Sequence, residues 1–112
     1  MSWPALVKKA VCTTPIRLVV YGETLDEDGA PAVAGTYEGT CFWQDGGRVE
    51  RTDAQQYVRI TGRAYFPGDI LPAVPVIAAG YAVVQGERRP IARGRKARDP
   101  DGRVNYTEVR FA

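Results

Sequence analysis

The chain has 112 residues, 45% hydrophobic and 25% charged, with 15 basic and 13 acidic side chains and a net charge of +2, the size and balance of one ordinary folded domain. It contains no histidine, and Ser2 is its only serine, so a Ser–His or Cys–His nucleophile lacks its general base. Two cysteines without histidine leave too few ligands for a zinc site, and neither a Walker-type nor a dinucleotide-binding glycine loop occurs.

No pair of carboxylates is singled out for hydrolytic chemistry. Two Asp-rich stretches, D-E-D-G (26–29) and D-P-D-G (99–102), are read as turns. Each has Gly at the fourth position instead of the sixth and lacks the closing Glu of a calcium loop. The expectation is a protein without catalysis, cofactor or metal. The first dozen residues contain no apolar h-region, so no secretory signal is expected. The longest apolar stretch, 70–84, is broken by Pro72, Pro75 and Gly80 and falls short of the ~20 residues a membrane helix needs. Cys12 and Cys41 match no metal or redox spacing and are expected as two buried thiols.

Twelve Gly and eight Pro with 10% aromatic residues favour short strands over helices. After a lead of about a dozen residues, I-R-L-V-V-Y (16–21) predicts a strand, and residues 23–32 an acidic loop marked by Gly29 and Pro31. Residues 33–43 alternate, with Val33, Tyr37, Cys41 and Trp43 on one face, so Tyr37 and Trp43, with Phe42, are assigned to the core. Asp45-Gly46-Gly47 predicts a hairpin turn into 48–51. Residues 55–66 alternate again, Val58 and Ile60 against Tyr57, Arg59 and Thr61, with a bulge or bend at Gly62.

Three prolines in 67–76 predict an extended crossing, with Asp69 bonding its own backbone. A strand over 79–85 turns at Gly86-Glu87. A hairpin follows, with strands over 91–98 and 104–111 joined by Asp99-Pro100-Asp101-Gly102, the residue order a type I turn prefers. The expectation is an all-β fold, a small open β-barrel (SH3-like or related) of six to seven short strands. At most one short helix is expected, near residues 3–10 or 53–57. It is one domain over 1–112, with 1–13 as an N-terminal extension.

Charge is unevenly spread. Residues 87–98 hold Arg88, Arg89, Arg93, Arg95, Lys96 and Arg98 against one acid, whereas 23–38 hold Glu23, Asp26, Glu27, Asp28 and Glu38 and no base. A basic run can bind phosphates, meet an acidic patch of a partner, or be a solvated strand kept from mispairing by its charges. Stacking aromatics, which single-strand binders use, are absent within the run. One chain with both segments suits head-to-tail self-association, the acidic loop complementing the basic run.

The stretch A-R-D-P-D-G-R-V-N-Y-T-E-V-R-F (97–111), together with I-T-G-R-A-Y-F-P-G-D-I (60–70) and the early strand followed by D-x-D-G-x-P (26–31), resembles the small minor capsid proteins of tailed bacteriophages. In that family an N-P-D-G turn precedes a V-N-H-x-E-L-like strand. Here Asp99 stands for the usual Asn, and Tyr106 stands where His is common. The resemblance implies a head–tail connector component, a head-closure (stopper) or neck ring beneath the portal. Such proteins are small β-barrels without catalytic residues. They assemble with copies of themselves, contact the portal or adaptor above and the tail terminator or other tail proteins below, and surround the DNA channel. The implied location is the virion neck, reached after assembly in the bacterial host cytoplasm, with no membrane contact. The alternative is a stand-alone β-barrel nucleic-acid-binding module.

Overall fold

The computed structural model describes residues 4–25, 27–51 and 56–112. One 3-10 turn, Lys9–Val11, precedes six strands: β1 (Thr14–Leu25), β2 (Pro31–Arg51), β3 (Tyr57–Pro67), β4 (Gly80–Val84), β5 (Glu87–Arg98) and β6 (Val104–Phe111). They form a closed antiparallel ring in the order β1-β2-β3-β6-β5-β4. The all-β barrel is as expected, but it is closed, not open. The pairing of β1 with β4, from Ile16 opposite Val84 to Val20 opposite Gly80, completes the circle.

Two long strands make closure possible with so few residues. β2 gives residues 31–41 to β1 and 42–51 to β3. β5 gives its first four residues to β4 and the rest to β6. A strand that serves two sheets bends between them, as at the corners of packed sheets.

The long β2 corrects the predicted hairpin at Asp45-Gly46-Gly47. The strand runs straight through: Asp45 lies opposite Gly62 and Arg48 opposite Ile60, which is one extra residue on β2 and therefore a bulge. Trp43 donates its indole N–H to Asp45 Oδ1 at 2.8 Å and anchors the bulge on one side. The true connection to β3 falls at residues 52–56, most of which lie outside the described residues, as does most of the second predicted helical turn.

The bulge expected at Gly62 is thus on the partner strand. Gly62 itself stays in register with both neighbours. Its missing side chain makes room for the Trp43 ring, which a Cβ there would strike and which packs on Phe111 at 5.6 Å between centroids. A second register shift, between Val20 and Tyr21, breaks the alternation read along 33–43. Tyr37, Cys41 and Trp43 face the core, but Val33 is 56% exposed. Phe42, assigned to the core with them, points outward at 36% exposure, one position out of phase.

Leu18, Val20, Cys41, Ala64, Phe66, Ala82, Val109 and Phe111 fill the barrel and are fully buried. Burying each larger side chain contributes roughly 1.5–3 kcal/mol. Residues 68–79 cross the barrel without strand structure, as their prolines predict. Leu71, Val74 and Ile77 point inward at every third position, with Val74 against Gly35 and Ile77 against Gly94. Cys12 and Cys41 are buried free thiols. Burial, then the neighbouring Cys12, pushes the Cys41 thiol up from 9.0 to about 12.

Candidate functional site

The predicted turn forms at the end of the β5–β6 hairpin. Gly102 N–H donates to Asp99 O at 2.9 Å and Asp99 N–H to Arg103 O at 2.7 Å. Gly102 has φ of +90° with open space around it, so the requirement for glycine here is conformational, not steric. Asp99 is only 5% exposed because it accepts a hydrogen bond from Asn105 Nδ2 at 2.8 Å.

Asn105 is a hub that the sequence reading missed. Its Nδ2 also donates to Pro4 O at 3.0 Å, and its Oδ1 accepts from Leu6 N–H at 2.9 Å. Its backbone carbonyl accepts from Gly68 N–H, and Thr107 Oγ1 donates to Gly68 O, each at 2.9 Å. The buried Asn105 amide therefore ties the N-terminal lead to the turn, and the backbone carbonyl of the same residue, with Thr107, holds the P-G-D segment. An asparagine after a valine in a strand gives no local hint of this, since Pro4, Leu6 and Gly68 are distant in sequence and Asp99 lies across the turn.

The basic run is dispersed. Lys96 faces inward, its side chain 7% exposed, with Nζ 2.9 Å from Asp69 Oδ1 and donating to Leu71 O at 2.9 Å. It is thus removed from any contact surface. Asp69 does bond its own turn, accepting from Leu71 N–H at 3.2 Å, and also neutralises Lys96. Arg89 is largely covered, donating to Thr61 Oγ1 and Glu87 Oε2 at 3.0 Å beside the Trp43 ring. Arg88 lies over the Tyr81 ring at 3.7 Å, on a different sheet. Arg98 donates to Gly102 O at 2.7 Å across the turn. Arg93 and Arg95 project outward from β5.

Strand pairing supplies those two with neighbours that the linear run does not contain. Arg93 lies opposite Arg110, and Arg110 opposite Arg63, three like charges in one cross-strand row. In the next row Glu108 stands between Arg95 and Tyr65. Glu108, 6% exposed, accepts from Arg110 Nε at 3.1 Å and lies 4.0 Å from Arg95 Nε. This offsets repulsion that an all-arginine patch would suffer. Burial, then the hydrogen bond to Glu108, raises the Tyr65 hydroxyl above its usual 10.0. Aromatic rings, absent within the run itself, lie beside it in the fold: Phe42, Tyr65 and Tyr106 form a chain of rings 6.0 and 6.2 Å apart, and Arg95 donates to the Tyr106 hydroxyl at 2.8 Å.

At the far side, β1 and β2 extend beyond the ring as a two-stranded ribbon, Leu25 opposite Pro31. Its tip carries the acidic segment. Glu27 and Asp28 are exposed, whereas Asp26 and the Glu23 side chain lie outside the described residues. Leu25 is 68% exposed. Beside the crossing segment, and at the arginines themselves, a cleft of about 310 Å³ opens. Its apolar walls include Val58, Ile60, Val76 and Ile77, and Arg51, Arg93 and Arg110 line it as well.

No group of three or more Cys, Asp or Glu side chains among the described residues is arranged to hold a metal ion, and no helix among them is long and apolar enough to cross a membrane. The arrangement offers contact chemistry: a clasped hairpin, a guanidinium surface and an acidic ribbon. The sequence matches no known family model, and no curated protein is significantly similar to it.

Proposed function

We propose that the protein is a structural ring component of the head–tail connector of a tailed bacteriophage, a head-closure or neck protein acting by association. Copies assemble with one another, the portal or adaptor binds on one side and tail proteins on the other, and the ring surrounds the DNA channel in the virion neck. The observation that carries this reading is the clasp between two of the three segments on which the resemblance rests. Pro67 lies opposite Tyr106, and Gly68 exchanges hydrogen bonds with Asn105 and Thr107, so the two motifs are joined in one structural unit, which supports reading them together. The separation of an acidic ribbon from an arginine surface supports the assembly part, since unlike patches on one chain give heterologous contacts.

The test is in vitro joining of DNA-filled heads and tails. The protein is expected to restore infectious particles when added to heads lacking it, and Arg93→Glu with Arg98→Glu is expected to leave the fold intact but yield filled heads and free tails. Exposed charges contribute within about 1 kcal/mol each to folding, whereas like charges across an interface cost several. Wild-type titre from the double variant would overturn the assignment of this surface.

The Phe42–Tyr65–Tyr106 rings beside Arg95 favour a second reading, a nucleic-acid-binding barrel, because stacking rings next to guanidinium groups suit single strands. Binding of oligothymidine that weakens steeply with salt and is lost in Tyr106→Ala would favour it.

A further inference from the structure

We propose that the tip of the β1–β2 ribbon docks into the arginine-lined cleft of a second copy of this chain, with Leu25 as its apolar knob. This names the contact by which copies join, and it rests on the self-association proposed above.

Leu25 does not stand alone on the ribbon. Pro31 is directly opposite, and Val33, two residues further along β2 and 56% exposed, shares that face by the period of a strand. This apolar face is followed by the exposed carboxylates of Glu27 and Asp28, and no basic residue occurs between Arg17 and Arg48. A single exposed leucine is ordinary. An apolar face within the most acidic stretch of the chain is a specific pairing of chemistries.

The cleft presents the inverse pairing. Its walls are aliphatic, with Ile60 and Ile77 each 3% exposed and Val76 at its mouth 68% exposed. Arg51, Arg93 and Arg110 supply the positive charge. At about 310 Å³ it is at the small end of binding pockets, a size for one or two aliphatic side chains. A phosphodiester backbone would match the positive charge but leave the aliphatic walls unmatched. An acidic segment bearing a leucine satisfies both, and this chain carries one. Because tip and cleft are different surfaces, each copy offers one of each, and the contact propagates head to tail until it closes.

The contact is read by sedimentation equilibrium of the purified protein up to about millimolar concentration, where even weak association registers. Wild type is expected to form species larger than a dimer as concentration rises. Leu25→Arg, which spoils the tip, and Val76→Glu with Arg93→Glu, which spoils the cleft, are each expected to weaken association by roughly tenfold or more, the scale of one buried aliphatic anchor. Mixed in equal amounts, the two variants are expected to form a dimer and nothing larger, since only one intact tip and one intact cleft can meet. All the positions are exposed, and unchanged thermal melts check the fold. Leu25→Ser replaces Leu25→Arg if that variant misfolds.

Association of Leu25→Arg at wild-type strength, or species beyond a dimer in the mixture, would overturn this contact and leave self-association standing. A wild type that stays monomeric at every concentration would overturn both.

Discussion

Two hairpins of this barrel have opposite characters. The β5–β6 hairpin ends in a turn whose polar groups are bonded to one another and to distant segments, with Asp99 and Asn105 buried. The β1–β2 ribbon ends in exposed Leu25, Glu27 and Asp28. The first buries its polar side chains in holding the fold, whereas the second exposes its side chains at the surface. Mutations should therefore separate cleanly, those at the clasped end acting on stability and those at the ribbon acting on association.

The sharpest test of the clasped end is Asp69→Ala, which leaves Lys96 charged, buried and short of its partner. The expected loss is about 3 kcal/mol, while Asp69→Leu combined with Lys96→Met is expected to be close to neutral, because removing one partner of a buried pair costs far more than replacing both by apolar side chains. Chemical denaturation of both variants reads the difference. A neutral Asp69→Ala would mean that water reaches Lys96.

Asn105→Ala should come next, with a loss of roughly 2–3 kcal/mol from the polar groups left unsatisfied. It should also release the lead held through Pro4 and Leu6, so trypsin should cut at Lys8 and Lys9 well before the barrel unfolds. Gly102→Val is expected to cost about 1–3 kcal/mol for a β-branched residue forced to positive φ, with Gly102→Asn much milder. Equal, negligible effects would show that the turn can relax away from its observed conformation.

A smaller effect is expected from alkaline pH. The unfolded chain loses the Cys41 proton near 9.0, but the folded chain keeps it to about 12. Stability is therefore complete below pH 9 and declines from there as pH rises. Tyr37 and Tyr65, raised above 10.0 chiefly by burial, act in the same direction above pH 10. Thermal melts from pH 7 to 11 should show the decline, and Cys41→Ala should reduce its slope. At the ribbon, Glu27→Ala should change stability by no more than about 0.5 kcal/mol.

What could be read from sequence alone divides along the same line. D-P-D-G was legible because its turn is built from its own four residues, and the 67–76 crossing because proline acts locally. Asp45-Gly46-Gly47 was misread since a glycine pair suits a bulge as well as a turn. The choice depends on β3, which continues pairing on both sides of it. Val33 was misplaced because an alternation rule fails at a register shift, which the neighbouring strand sets, whereas Phe42, between Cys41 and Trp43, was placed in the core against the alternation, on its aromatic character alone. In the basic run, type and spacing could not distinguish Lys96 from Arg95. Their opposite fates follow from Asp69, 27 residues away, and from Glu108, 13 positions further along.

The place of β6 in the ring has a consequence for the order in which the molecule comes into being. It is the sixth strand made, yet it lies between β3 and β5. A nascent chain that has completed β1 to β5 therefore has two bare strand edges facing each other, and the Trp43 ring lacks the Phe111 it packs on. Such edges invite pairing with other chains, and late, long-range closure is slow, on the order of milliseconds to seconds for sheet proteins of this kind. The ring can then close only once β6 has been made, and cells making many copies at once would hold, for that interval, a population of open barrels seeking a strand.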